Sequence, residues 1–399
     1  MRIQQVTWLY LLSIMVCLIN ASVSLAEDGV KDTEIIIGSS LPLDGHASFL
    51  GTQLLHGTMA YIYSINEKNG INNRKISVIA YNDDYDRMKC EANTKKLIEQ
   101  DKVFMLTNYV GTGTTLQALP LIKKAKIPVL GLFTGAEDFR HPVIKEVFNV
   151  RSSDLQEMET VITKFWNIFD VRKFAVLYQD SPYGQSGLKG AEVALEKLGS
   201  KPTVTASYER GTDAIGDAMK TIRAAQPEAV IMAGIYTPTA RFVFSAKWSG
   251  FDPYFHSLSF VGADQLADLI GRGDSDGVIV TQVVPPQSAT YPVLQEYRDL
   301  LKKHYPADKP NFVSLEGFIN AKVLVAVLNK TGKDITREAF IKTAEGMKNL
   351  DIGLDHTISF DPNNHQGSDV VYSTVIENGE YKLLTDEGWK SIKKRQLPK

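Results

Sequence analysis

The sequence predicts an α/β protein whose parallel strands divide between two sheets, and three observations predict it. Short apolar, β-branched runs alternate with longer amphipathic stretches from Glu34 to about Gln282. Those runs are continuous rather than alternating, as in Ile35-Ile36-Ile37 and Phe174-Ala175-Val176-Leu177, which marks strands buried on both faces between helix layers. The chain has 399 residues, so eight or nine strand–helix units with right-handed crossovers fit two domains better than one.

Taken in order, the chain opens with Arg2, the apolar run from Trp8 to Ile19, and the small-residue close Ser24-Leu25-Ala26. That is the pattern of a secretory signal peptide, residues 1–26, with cleavage expected after Ala26. The apolar core is about twelve residues, short of the roughly twenty that span a bilayer. Ile14-Met15-Val16 lacks the small residues that precede a lipidated cysteine, so Cys17 is not expected to carry a lipid. Export leaves 373 residues with a net charge of -3 and one cysteine, Cys90. No internal disulfide is then available, and stability rests on large cores. The near-neutral balance offers no electrostatic footprint for nucleic acid; Lys390, Lys393, Lys394, Arg395 and Lys399 read as a solvated basic end.

Strands are expected at residues 34–38, 75–81, 103–106, 128–132, 173–178, 202–207, 229–233, 257–261 and 277–280. Between them lie helices such as the one after Asp154, where Leu155, Met158, Ile162, Phe165 and Phe169 form one apolar stripe. Leu54, Met59, Ile62 and Ile65 form another, ended by Asn69-Gly70. After Pro285-Pro286 the order changes to two helices, 291–304 and 315–328, then strands at 357–360 and 370–377. No other apolar run is expected to cross a membrane, and no low-complexity linker is apparent, so short hinges should join the domains.

Several strand ends carry site-like loops. Gly111-Thr112-Gly113-Thr114-Thr115 lies between a strand and a helix start, where unpaired N–H groups and hydroxyls suit a carboxylate or phosphate. A nucleotide loop would need a following Lys-Ser/Thr pair, which is absent; a plain tight turn is the bland alternative. Phe133-Thr134-Gly135-Ala136 leaves the next strand similarly, at the edge where open sheets bind ligands. Tyr183 and Tyr236 sit at equivalent ends in the second half, where Tyr183 can face a cleft or simply pack; Asp264, a lone carboxylate among apolar neighbours, reads first as a helix cap, or opposite an ammonium as a charge-assisted partner. There is no Gly-x-Ser-x-Gly elbow, no His-Glu-x-x-His, and the seven histidines are scattered. Neither an enzyme, nor a metal, nor a cofactor is expected.

In collinear order stand Ile37-Gly38-Ser39-Ser40-Leu41-Pro42-Leu43-Asp44-Gly45, Asn66-Glu67-Lys68-Asn69-Gly70, Tyr81-Asn82-Asp83-Asp84-Tyr85, the 111–115 loop, Thr134-Gly135-Ala136, Val150-Arg151 and Tyr178-Gln179-Asp180-Ser181-Pro182-Tyr183-Gly184. By these motifs the chain resembles type I periplasmic solute-binding proteins of ABC importers, in particular the branched-chain amino-acid (Leu/Ile/Val) binding family. The resemblance spans residues 34–384. It implies two Rossmann-like lobes joined by a three-segment hinge near Arg151, Val284 and Asp355. Lobe 1 is then 27–151 with 284–355, and lobe 2 is 152–283 with 356–399. It implies a periplasmic monomer that binds an amino acid or similar small polar solute between the lobes and delivers it to an ABC permease and its ATPase. A sensor passing the closed complex to a membrane receptor, or a binder of an amide, urea or aromatic acid, remains the alternative.

Carried over by position, the resemblance places the ligand carboxylate at Thr112 and the backbone from Val110. Phe133, Gly135 and the adjacent Thr134 hold its amino and carboxylate groups. Tyr183 closes over it, Tyr236 is a second-lobe contact, Asp264 opposes the ammonium, and Leu50 lines the side-chain pocket. Gly135 stands where the family has a hydroxyl, and Phe133 adds bulk, which together favour an aromatic or larger amino acid.

Overall fold

The computed structural model describes residues 27–271 and 273–392. Residues 1–26, expected from the sequence to be a signal peptide, and tail residues Lys393, Lys394, Arg395 and Lys399 lie outside them. Two sheets form two lobes. In the first, β1 (Glu34–Leu41), β2 (Lys75–Asn82), β3 (Met105–Thr107), β4 (Val129–Leu130) and β5 (Val147–Phe148) run parallel in the order β2-β1-β3-β4-β5. Ile35, Ile37, Met105 and Val129 are buried on both faces, as continuous apolar runs require.

The second sheet has the order β12-β11-β10-β9-β8-β6-β7. Its strands β6 (Phe174–Asp180), β7 (Val204–Glu209), β8 (Ala229–Ala233), β9 (Tyr254–Ser257) and β10 (Ile279–Gln282) are parallel. The late strands β11 (Tyr372–Glu377) and β12 (Glu380–Leu383) add an antiparallel edge. β9 lies earlier than the expected 257–261, because Ser259–Val261 turn as a short 3-10 helix. Residues 357–360 form no strand and pair only through an isolated bridge, Leu350 with Ile358.

Helices α1 (Ser48–Glu67), α2 (Arg87–Glu99) and α3 (Thr112–Ala125) cover the first sheet. In the second lobe come α4 (Asp154–Ile168), α5 (Pro182–Glu196), α6 (Gly216–Ala224), α7 (Tyr236–Trp248) and α8 (Ala263–Ile270). The chain then returns to the first lobe with α9 (Pro292–His304), α10 (Phe312–Thr331) and α11 (Arg337–Glu345), and α12 (Asp386–Ser391) ends the described segment. Contrary to the sequence expectation, α10 is long and apolar enough to cross a membrane. It is instead a core helix, buried over most of its length against α1. A Cβ on Gly57 would lie 1.7 Å from the Ser314 carbonyl oxygen, and one on Gly317 would lie 2.0 Å from that of Leu54. Only glycine permits the two backbones to meet this closely.

Between β5 and α4 the chain passes from one lobe to the other through residues 149–153. α4 begins with a reciprocal capping box between Ser153, its cap, and Gln156. The last crossing differs from the one expected near Asp355. Asn149 bridges to Gln366, and Phe148 stacks on His365 with centroids 4.0 Å apart, so residues 358–367 stay beside the first sheet. The chain crosses at 368–371, where the Val370 carbonyl accepts from Ser152 at 3.0 Å.

Candidate functional site

The C-terminal strand ends of both sheets face each other across one cleft. On the first lobe, Gly111 adopts φ +96° and its absent side chain makes room for the Tyr85 ring, 2.5 Å from where a Cβ would stand. α3 starts directly after it, and no side chain caps its first-turn N–H groups. Thr112 opens that helix and shares a 2.7 Å hydrogen bond with Thr134 on the loop after β4; both hydroxyls are fully buried. Val110 and Phe133 pair as an isolated parallel bridge, which holds the two loops side by side.

On the second lobe, Ser181 accepts from the Gly184 N–H at 3.3 Å and Pro182 occupies the first turn of α5. This fixes Tyr183, whose buried hydroxyl has no hydrogen-bond partner. Asp154 approaches from the start of α4. Its backbone N–H donates to the Gly135 carbonyl at 2.8 Å, and a Cβ on Gly135 would fall 2.0 Å from its Oδ1. Ser186 donates to the Asp154 Oδ2 at 2.8 Å, while Oδ1 is buried without a partner. Burial, then the neighbouring Glu157 carboxylate, pushes Asp154 up to about 6.

Beneath these groups lies a buried ionic floor. Arg151 reaches Glu316 of α10 at 3.3 Å with one nitrogen and Glu157 of α4 at 3.3 Å with another, so one cation joins a carboxylate from each lobe. Its guanidinium also covers the Phe133 ring at 5.1 Å. Glu157 accepts from the Ser259 N–H at 2.8 Å, the Ser259 hydroxyl at 2.7 Å and Thr281 at 2.5 Å. Arg151 is held charged against its burial by Glu316 and Glu157, whereas burial pushes Glu316 up to about 7 despite the same contact. The directions oppose because two carboxylates share one guanidinium, and burial decides for the weaker-held Glu316.

Thr112, Phe133, Thr134, Gly135 and Tyr183 therefore stand together, with Val110 behind them. Leu50 and Tyr236 meet a little outward, where a Cβ on Gly262 would lie 2.8 Å and 3.2 Å from their side chains. Asp264 stands apart. Its carboxylate accepts from the Phe312 N–H at 3.0 Å, stapling α8 to the N-terminus of α10. It lines an 820 Å³ cavity at the cleft mouth with Phe49, Gln53, Asp308 and Tyr381, and burial pushes it up to about 6. The residues missed by sequence reasoning are Asp154 and Arg151, noted there only as a crossing, and Phe260, assigned to a strand. At the far lip, Arg210 of the second lobe lies over the Tyr85 ring at 4.3 Å and donates to the Tyr85 carbonyl.

Two α/β lobes, three crossings and a cleft at facing strand ends make this the fold of type I periplasmic binding proteins. Residues 34–380 match the model of the family described as periplasmic binding protein, and the chain belongs to that family. A curated relative, a Leu/Ile/Val-binding protein homolog 7 of Brucella abortus, is 25% identical over 370 residues, covering 87% of this chain and 90% of the relative. The crystal structure of a possible leucine/isoleucine/valine-binding protein from Rhodopirellula baltica aligns with a TM-score of 0.86 at 29% identity, over 92% of this chain and 99% of that one. A branched-chain amino-acid ABC transporter structure from Thermus thermophilus with bound valine shares the fold, with a TM-score of 0.81 at 17% identity over 89% and 96% of the two chains. Family membership makes the chain a solute-binding protein and implies that it acts outside the cytoplasm.

Proposed function

We propose that this chain is the periplasmic solute receptor of an ABC importer, that it binds an amino acid between its lobes, and that it hands the closed complex to a membrane permease. One observation carries the ligand class: the cleft has two poles of opposite character. The first-lobe pole is the uncapped N-terminus of α3 with the Thr112 and Thr134 hydroxyls, suited to a carboxylate. The second-lobe pole is the unpartnered Asp154 oxygen, suited to an ammonium. In this reading Asp154 takes the role expected of Asp264. Phe133 and Gly135 shape the gap between the poles, Val110 and Tyr183 enclose it, and Leu50 and Tyr236 wall its outer side.

The relatives' names, a Leu/Ile/Val-binding protein homolog and an amino-acid transporter component, support the amino-acid class rather than any one side chain. Because each lobe has its own sheet, ligand acts by favouring the closed arrangement over the open one. The test is a thermal-shift panel of free amino acids beside their C-terminal amides and their des-amino acids. A ligand at a hundred times its Kd raises stability by about 2.7 kcal/mol. Free amino acids should shift the melting temperature and both modified series should not. Equal shifts from amides or des-amino acids would sink the two-pole reading.

A further inference from the structure

Phe260 is fully buried on the short turn Ser259–Val261 between β9 and α8. Its ring centroid lies 4.2 Å from that of Tyr183, 5.3 Å from that of Phe133 and 6.5 Å from that of Tyr85. Tyr183 belongs to its own lobe; Phe133 and Tyr85 belong to the other. One second-lobe ring thus plugs the space between the lobes beside the two polar poles. The turn is not free to swing aside, because both the N–H and the hydroxyl of Ser259 are held by Glu157.

An intercalated ligand ring needs carbon contacts of about 3.5 Å on each face, hence about 7 Å between flanking rings. Neither the Phe260–Tyr183 nor the Phe260–Phe133 gap provides it. We infer that Phe260 sets the size of the bound side chain and restricts the cleft to amino acids with short ones. The inference rests on the amino-acid reading above, and it reverses the preference for a larger ligand that Phe133 alone suggests. Phe133 adds bulk from one lobe, Phe260 meets it from the other, and the two rings occupy the room a long side chain would need.

The experiment is calorimetric titration of glycine, alanine, serine, leucine and phenylalanine into the wild type, Phe260→Ala and Phe260→Leu. In a hydrophobic pocket each methylene changes affinity by about tenfold or more. The wild type should bind glycine, alanine or serine at least about tenfold more tightly than leucine or phenylalanine. Both variants should move that order toward longer side chains, with leucine gaining at least about tenfold. A purely structural role would weaken all five ligands alike. Should Phe260→Ala fail to fold, Phe260→Leu retains an apolar fill and still reads the order. A wild type that prefers leucine or phenylalanine, or variants that keep the wild-type order, would overturn the inference and leave the amino-acid reading standing. Silence of the folded wild type toward all five, in a protein that also ignores the wider amino-acid panel, overturns the reading itself.

Discussion

The two lobes bring opposite chemistry to the cleft. The first contributes neutral donors, the α3 N-terminus with Thr112 and Thr134. The second contributes a carboxylate, Asp154, and the rings of Tyr183 and Phe260. On the amino-acid reading proposed above, neither set alone would recognise both ends of the ligand, and recognition would be completed only on closure. Beneath both lies the shared floor, where Arg151 binds Glu157 from the second lobe and Glu316 from the first. On that reading, orientation of the ligand and cohesion of the lobes are assigned to different residues.

The largest test of that division is Arg151→Ala. It strands two buried carboxylates, and removing one partner of such a pair costs about 3–5 kcal/mol. A large fall in melting temperature without ligand is expected; an unchanged one would show that the floor does not hold the lobes. Next comes Asp154→Asn, which should leave the ligand-free protein no less stable at neutral pH, since it removes the ionisation of a buried carboxylate, while weakening amino-acid binding by about 1.5–3 kcal/mol. Equal affinity by calorimetry would return the ammonium partner to Asp264.

Proton linkage sharpens the comparison further. Glu316 is pushed up to about 7 and Asp154 to about 6, above their unfolded values. Their contribution is therefore complete below the unfolded carboxylate range and is lost as pH rises through about 6 to 7. Denaturant melts of the ligand-free protein should lose about 1–3 kcal/mol between pH 5 and pH 8 from this source. Glu316→Gln should flatten that slope; a slope unaltered in the variant would assign it elsewhere. The smallest effect belongs to the hydroxyl pair. Thr112→Val and Thr134→Val should each cost about 1 kcal/mol of binding, and the double variant less than the sum because they bond each other. Strict additivity would mean the two hydroxyls act on the ligand independently.

The fold was largely legible because its strands are continuous apolar runs. Phe174-Ala175-Val176-Leu177 became β6 and Ala229–Ala233 became β8. The errors fell where local pattern and pairing part company. Ser257 to Val261 reads as a strand, yet the chain pairs three residues earlier, at Tyr254–Ser257, and turns at Ser259, where Glu157 captures its N–H. The short strand β5 carries only Val147 and Phe148, too few residues for periodicity to register. Residues 356–367 were placed with the second lobe because nothing local shows that His365 will stack on Phe148.

The site divides in the same way. Thr112, Thr134 and Tyr183, which the proposed site retains, lie on strand-end loops whose hydroxyls and glycines announce themselves in sequence. Asp154 was not, since a helix-start aspartate usually caps, and only the close approach of Gly135 leaves its Oδ1 without a partner. Asp264 is the converse case: its sequence neighbours alone suggest a helix cap, the resemblance sets it against the ammonium, and in the structure it accepts from the backbone of a distant helix at Phe312.

The Arg210–Tyr85 clasp at the lip has a bearing on gain rather than selectivity. It joins the lobes at a point where neither residue belongs to the two polar poles. Apparent affinity is intrinsic affinity scaled by the fraction of molecules in the binding-competent state. Loosening the clasp would therefore dim the response to every solute by one common factor, as a volume control does, leaving the choice among solutes to the interior.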